Sequence, residues 1–137
     1  MPQMIFVNLP VKDLETTKSF FGKLGFSFNP QFSDENTACL VISDTIFAML
    51  LTEPRFKEFT KKEIADASKS TEVILALSAE SREKVDELVD TALASGGSPA
   101  NEPIDYGFMY GRSFQDPNHH IWEVVWMDPS AVEGRQG

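Results

Sequence analysis

Two stretches of this chain follow the same order of elements, and that repeat constrains the fold more than any single motif. The first begins Ile5-Phe-Val-Asn-Leu-Pro-Val-Lys-Asp-Leu14 and continues through ETTKSFFGKLGF. The second begins Val73-Ile-Leu-Ala-Leu-Ser-Ala-Glu-Ser-Arg82 and continues through EKVDELVDTALASGG. Each reads as an apolar strand, a short polar turn, a helix and then glycine. In the first helix, Asp13 is the expected N-cap, since its carboxylate can accept from free backbone N–H groups. Leu14, Thr17, Phe21 and Leu24 fall on one face, with Phe20 beside them, and Gly25 supplies the left-handed stop. In the second, Ser81 is the expected cap. Val85, Leu88, Val89, Ala92 and Leu93 form the apolar stripe, and Gly96-Gly97 ends the helix.

Strands follow each helix. After the first, the pattern predicts strands over 26–28, 37–42 and 45–52, with Ser43-Asp44 as a tight hairpin turn. After the second come a Pro-rich loop (98–103), a strand over 106–115 and a strand over 121–127. Asp116-Pro117-Asn118 supplies turn chemistry between these last two. Each half therefore reads β-α-β-β-β, with one strand of the second half hard to see. Repeat one spans 4–53 and repeat two 71–128, within one domain over 1–128. The crossover over 54–70 is expected to be helical, because Thr60-Lys-Lys-Glu63 has capping-box spacing for a helix through Ala67. Residues 129–137 are expected to form a flexible tail.

Composition narrows the function. The chain has 137 residues, 42% hydrophobic and 24% charged, enough for one real core. A net charge of −9 repels phosphate backbones and argues against nucleic acid as a partner, while steering cationic small molecules toward the surface. No apolar run approaches the ~20 residues of a membrane span, and MPQMIFVNLP has no leader pattern. The single cysteine, Cys39, lies in an apolar run, excludes an intrachain disulfide and suggests a reducing cytoplasm.

The doubled unit resembles the glyoxalase / bleomycin-resistance / extradiol-dioxygenase superfamily, also called vicinal oxygen chelate proteins. Three features carry the likeness. One is V-x-D-L with a helix ending L-G-F (Val11, Asp13, Leu14; Leu24-Gly25-Phe26). Another is Leu75-Ala-Leu-Ser78 leading to a helix and Gly96-Gly97. The third is F-x-D-P-x-x-x-x-x-E at Phe114, Asp116, Pro117 and Glu123. The subgroup it resembles most is that of predicted lactoylglutathione lyases. The resemblance implies an α+β fold in which two β-α-β-β-β repeats form a curved mixed sheet around a cleft, and a homodimer. It also implies a metal bound by the first and last strands of each half. The matched positions here are Phe6, Leu50, Ile74 and Glu123. Only the last can donate a lone pair, whereas such sites take about three protein ligands, so no metal and no cofactor is expected. Strand period two offers a shifted alternative in Asn8, Thr52, Glu72 and Glu123.

Glu123 is the one polar residue on its face of an apolar strand, and a carboxylate there calls for a ligand or proton-transfer role. The adjacent pair His119-His120 is expected in the turn and at the surface: on strand period His120 points away from Glu123. Asn118-His119 stands where the family usually has Asp-Gly. Tyr106, Phe108, Tyr110 and Arg112, spaced by two, are expected to share a face as an aromatic pocket wall with one cation. Trp122 and Trp126 share the opposite face of the last strand from Glu123 and are expected to pack on a helix or partner subunit. The leading expectation is a small-molecule binding protein with a cleft between the repeats and most metal ligands missing. The alternatives are a glyoxalase-like lyase or dioxygenase-type enzyme using Glu123, and a metabolite-sensing interaction module.

Overall fold

A computed structural model of the chain describes residues 2–131. The described residues form two compact units that divide between Asp66 and Ala67, inside the expected crossover. The architecture is the expected α+β arrangement of two β-α-β-β-β repeats, each an open mixed sheet with a helix.

In the first unit, β1 (Ile5–Val11) leads to α1 (Leu14–Lys23), β2 (Ser27–Phe28), β3 (Thr37–Val41) and β4 (Ile46–Thr52). The sheet order is β1-β4-β3-β2, with β1 parallel to β4 and the other pairs antiparallel. Asp13 caps α1 by accepting from the Glu15 N–H at 3.2 Å, while the Thr16 hydroxyl donates to its other oxygen at 2.7 Å. Helix α1 packs on β3 and β4 through Leu14, Thr17, Phe20 and Phe21. Leu9, Val11, Ala48, Leu50, Ala38 and Leu40 lie in register on one face of the sheet, all buried. The loop between β3 and β4 is wider than a two-residue turn: the N–H groups of Ile42 and Ser43 both reach the Ile46 carbonyl.

The crossover departs from expectation. Helical structure forms earlier, as α2 (Glu53–Phe56) followed by a 3₁₀ turn (Lys57–Phe59), and no helix opens at Thr60. Pro54 sits in the first turn of α2, where its fixed φ is already helical. Thr60 is extended, and its hydroxyl accepts from the Lys62 N–H at 3.1 Å, closing a local turn instead of capping a helix.

The second unit runs β5 (Ile74–Ser78), α3 (Arg82–Ala94), β6 (Ser98–Pro99), β7 (Ile104–Asp105), β8 (Met109–Gln115) and β9 (Ile121–Met127). The order is β5-β9-β8-β6, with β7 also paired to β8. Ser81 caps α3 by accepting from the Lys84 N–H at 3.1 Å. The helix buries Val85, Val89 and Ala92 against β8 and β9, where Trp122 and Phe114 are almost fully enclosed. The strand expected over 106–115 forms only over 109–115; residues 106–108 instead make the turn of a hairpin that joins β7 to β8. Gly107 takes φ +81° and the Tyr106 N–H bonds the Met109 carbonyl, so the chain reverses at 106–108 before β8 begins.

The turn between β8 and β9 is built on Asp116. Its buried carboxylate accepts from the backbone N–H of Asn118 and His120 at 2.8 and 3.1 Å and from the Trp122 indole at 2.9 Å. His119 takes φ +69° at the surface. His120 does not lie at the surface as expected; its side chain is buried. Of the expected tail, residues 129–131 turn back at Asp128, which accepts from the Ser130 N–H and hydroxyl; the rest lies outside the described residues.

Candidate functional site

The two faces of the second sheet differ in kind. Leu75, Leu77, Trp122, Val124, Trp126, Tyr110, Arg112 and Phe114 turn toward α3. The opposite face carries Ile74, Ala76 and Ser78 from β5, Ile121, Glu123, Val125 and Met127 from β9, and Met109, Gly111 and Ser113 from β8. Pairing puts Glu123 between Ala76 and Ser113, so a half-buried carboxylate sits in the middle of a largely apolar surface.

A concavity of about 190 Å³ opens on this face, lined among others by Glu102, Ile104, Met109, Ser113, Glu123 and Val125. Gly111 helps form its floor: a Cβ there would stand 3.4 Å from Val125 Cγ2. One wall is the segment 101–105. The Asn101 N–H donates to Ser113 Oγ at 2.8 Å, and Ile104 pairs with Gly111. The concavity therefore presents two carboxylates, Glu102 and Glu123, among apolar side chains. Arg112 borders it, but its guanidinium is directed to Asp86 and Asp90 on α3, each at 2.9 Å.

The expected site residues separate into several places. Ile74 shares the Glu123 face and is well exposed. Tyr106, Phe108, Tyr110 and Arg112 do not form one wall, because the hairpin at Gly107 takes the first two out of β8. Tyr106 and Phe108 stack on each other, with ring centroids 6.4 Å apart. Tyr110 donates to Asp86 at 2.6 Å on the helix side. That bond raises the phenol, and the same bond, with Arg112 adding to it, lowers the Asp86 carboxyl.

In the first unit, Phe6 pairs with Phe47 and stacks on it at 5.0 Å, whereas Leu50 pairs with Leu9 and is fully enclosed. Phe6 and Leu50 thus lie on opposite faces of one sheet, and Met49 is the β4 residue beside Asn8. The shifted alternative meets the same obstacle. Asn8 donates to the Phe6 carbonyl, Thr52 pairs with Val11 on the Leu50 face and bonds Asn36, and Glu72 is exposed ahead of β5. Among the described residues no three His, Cys, Asp or Glu side chains come together as a metal-binding group. The donor set does not fit the metal that the fold family implies: one carboxylate stands at the four matched positions, beside two aliphatic residues and a phenylalanine.

Sequence reasoning missed Glu102, Ile104 and Ser113. For Ser113 the signal was present. A turn centred on Asn118 pairs residues whose numbers sum to a constant, which sets Ser113 opposite Glu123. Glu102 and Ile104 gave no such signal, because the path of a Pro-rich loop is not periodic.

Comparison with known proteins agrees with this architecture. Residues 3–43 match the family model described as bleomycin resistance protein-like N-terminal. No curated protein matches the chain. A hypothetical protein from S. aureus is 26% identical, with 92% of this chain and 94% of that one covered and a TM-score of 0.77. A glyoxalase/bleomycin resistance protein/dioxygenase family enzyme from Burkholderia phytofirmans PsJN also superposes at 0.77, with 17% identity over 92% and 99% of the chains. A fosfomycin resistance protein from Listeria monocytogenes gives 0.64 at 19% identity over 92% and 91%. The fold is that of the glyoxalase/bleomycin-resistance/dioxygenase superfamily, and residues 3–43 are similar in sequence to the N-terminal part of bleomycin-resistance-like proteins.

Proposed function

We propose that the protein binds a small, cationic, partly apolar molecule against the Glu123 face of its second sheet, without a metal. The observation that carries this reading is the pairing of Glu102 and Glu123 in one concavity with Ile104, Met109 and Val125, while the guanidinium of Arg112 is engaged on the far face. Carboxylates in an apolar surround favour a cation that brings its own apolar surface. The net charge of −9 supports approach of such a ligand by long-range attraction.

The same reading takes the protein to be a homodimer of the cytoplasm. The exposed Ile5 and Phe6 of the outer strand β1, with Met4 just ahead of it, support self-association, and the buried free thiol of Cys39 suits a reducing compartment. It does not depend on the lactoylglutathione-lyase-like subgroup.

The test is titration with proflavine, a planar aromatic cation, followed by fluorescence and by melting temperature. Binding by the native chain with a rise in melting temperature, weakened in Glu123→Gln, is the expected result. Fosfomycin, an anionic phosphonate, is expected not to bind. Absence of proflavine binding, or equal binding by Glu123→Gln, would refute the reading.

A further inference from the structure

Arg82 opens α3 and touches four parts of the second unit. Its guanidinium makes a two-pronged pair with Asp105, 3.0 Å to Oδ2 and 2.8 Å to Oδ1, and a third bond to the Gly107 carbonyl at 3.0 Å. It also lies over two rings that are cross-strand neighbours on one face of the sheet, 5.0 Å from the centre of Tyr110 and 5.2 Å from that of Trp126. An exposed ion pair ordinarily contributes little, but a fork-to-carboxylate pair that also lies against two aromatic rings is more restricted in geometry than a lone surface pair. Asp105 in turn accepts from the Gly107 N–H at 2.9 Å, which closes the turn.

This cluster fixes one end of the segment that walls the concavity. The other end is fixed at Asn101, whose N–H donates to Ser113 Oγ. Between these anchors β7 contributes only two residues to the sheet, so Ile104 is held by a short ladder and Glu102, outside it, depends on the anchors for its position. Arg82 does not line the concavity; Asp105, next to Ile104 in β7, links it to the wall.

We propose that Arg82 is a positioning residue that sets the place of the 101–105 wall and so determines which ligands the Glu123 concavity accepts. The proposal rests on the binding reading above. The sequence gives no hint of this role: twenty-three residues separate Arg82 from Asp105, and nothing periodic joins them.

The test compares proflavine with ethidium, a bulkier aromatic cation, on the native chain, Arg82→Gln, Arg82→Lys and Asp105→Asn. Arg82→Gln is expected to weaken proflavine binding by about tenfold and to change the proflavine-to-ethidium affinity ratio by about threefold. General loosening of the fold would lower both affinities alike and leave the ratio unmoved. Arg82→Lys, which keeps the charge but not the fork, is expected to recover only part of the effect. Asp105→Asn removes the other half of the pair and is expected to shift the ratio in the same direction, which keeps the test decisive if Arg82→Gln folds poorly. Native affinities and ratio in both Arg82→Gln and Asp105→Asn, with binding still dependent on Glu123, would overturn the role of Arg82 alone. Failure of the native chain to bind either dye would overturn the binding reading and the positioning role together.

Discussion

The indole N–H of Trp122 donates to the buried carboxylate of Asp116 across 2.9 Å, six residues back along the chain. This bond ties the turn to the centre of the core, because Trp122 is wholly enclosed and Asp116 is 2% exposed. The same carboxylate organises the turn through two backbone N–H groups. Replacing Trp122 with Phe removes the indole donor to Asp116 and leaves a space where the larger ring stood. The expected loss of stability is about 2–4 kcal/mol, read from urea unfolding.

Glu123 carries the proposed function and little of the fold. It is half-buried and borders an open concavity, so an amide can take its place without burying an unpaired charge. Glu123→Gln is expected to change unfolding free energy by less than about 1 kcal/mol while weakening proflavine binding about tenfold. Calorimetry on the two proteins separates these effects.

His119 is the one residue other than glycine at positive φ among the described residues, at +69°. A β-carbon in that region is strained, and the side chain offers little in return: Nδ1 lies 3.3 Å from Gln115 Oε1 at the surface. His119→Gly is expected to stabilise the protein by about 1 kcal/mol, seen as a melting temperature higher by about 2–5 °C.

Asp105 sets a pH dependence of the hairpin. The Arg82 fork, with the Gly107 N–H adding to it, holds this carboxyl down from 3.8 to about 2. A depressed acid favours the folded form above its ordinary value, and that contribution is lost as pH falls from 3.8 toward about 2. The Gly107 amide resonance, reporting on Asp105 Oδ1, is expected to titrate with a midpoint near 2. In Arg82→Gln the midpoint is expected to move up toward 3.8.

What could be read from the sequence was local. Asp13 and Ser81 cap the helices they were expected to cap, and the apolar stripes of α1 and α3 face the sheets, because capping and helical period operate within a few residues. The crossover helix misled because Thr60-x-x-Glu63 satisfies a spacing rule that Pro54 had already pre-empted six residues earlier. Strand register was the larger gap. Phe6 and Leu50 are separated by more than forty residues, and only the parallel pairing of β1 with β4 decides that they face opposite ways. The wall of the concavity was hidden for a related reason: Gly107 was visible, but its left-handed turn takes 106–108 out of the expected strand and folds β7, which was not expected, back onto β8.

The parallel pairs β1–β4 and β5–β9 also govern the order in which the protein can be made. Among the described residues, the opening strand of each unit pairs with the last strand of the same unit alone, and a helix and two or more strands must be synthesised between them. On the ribosome Ile5–Val11 emerges early and waits, unpaired, until Ile46–Thr52 follows; Ile74–Ser78 waits in the same way for Ile121–Met127. Both units are therefore closed late, by contacts distant in sequence, and the apolar first strands are the segments most exposed to mispairing during synthesis.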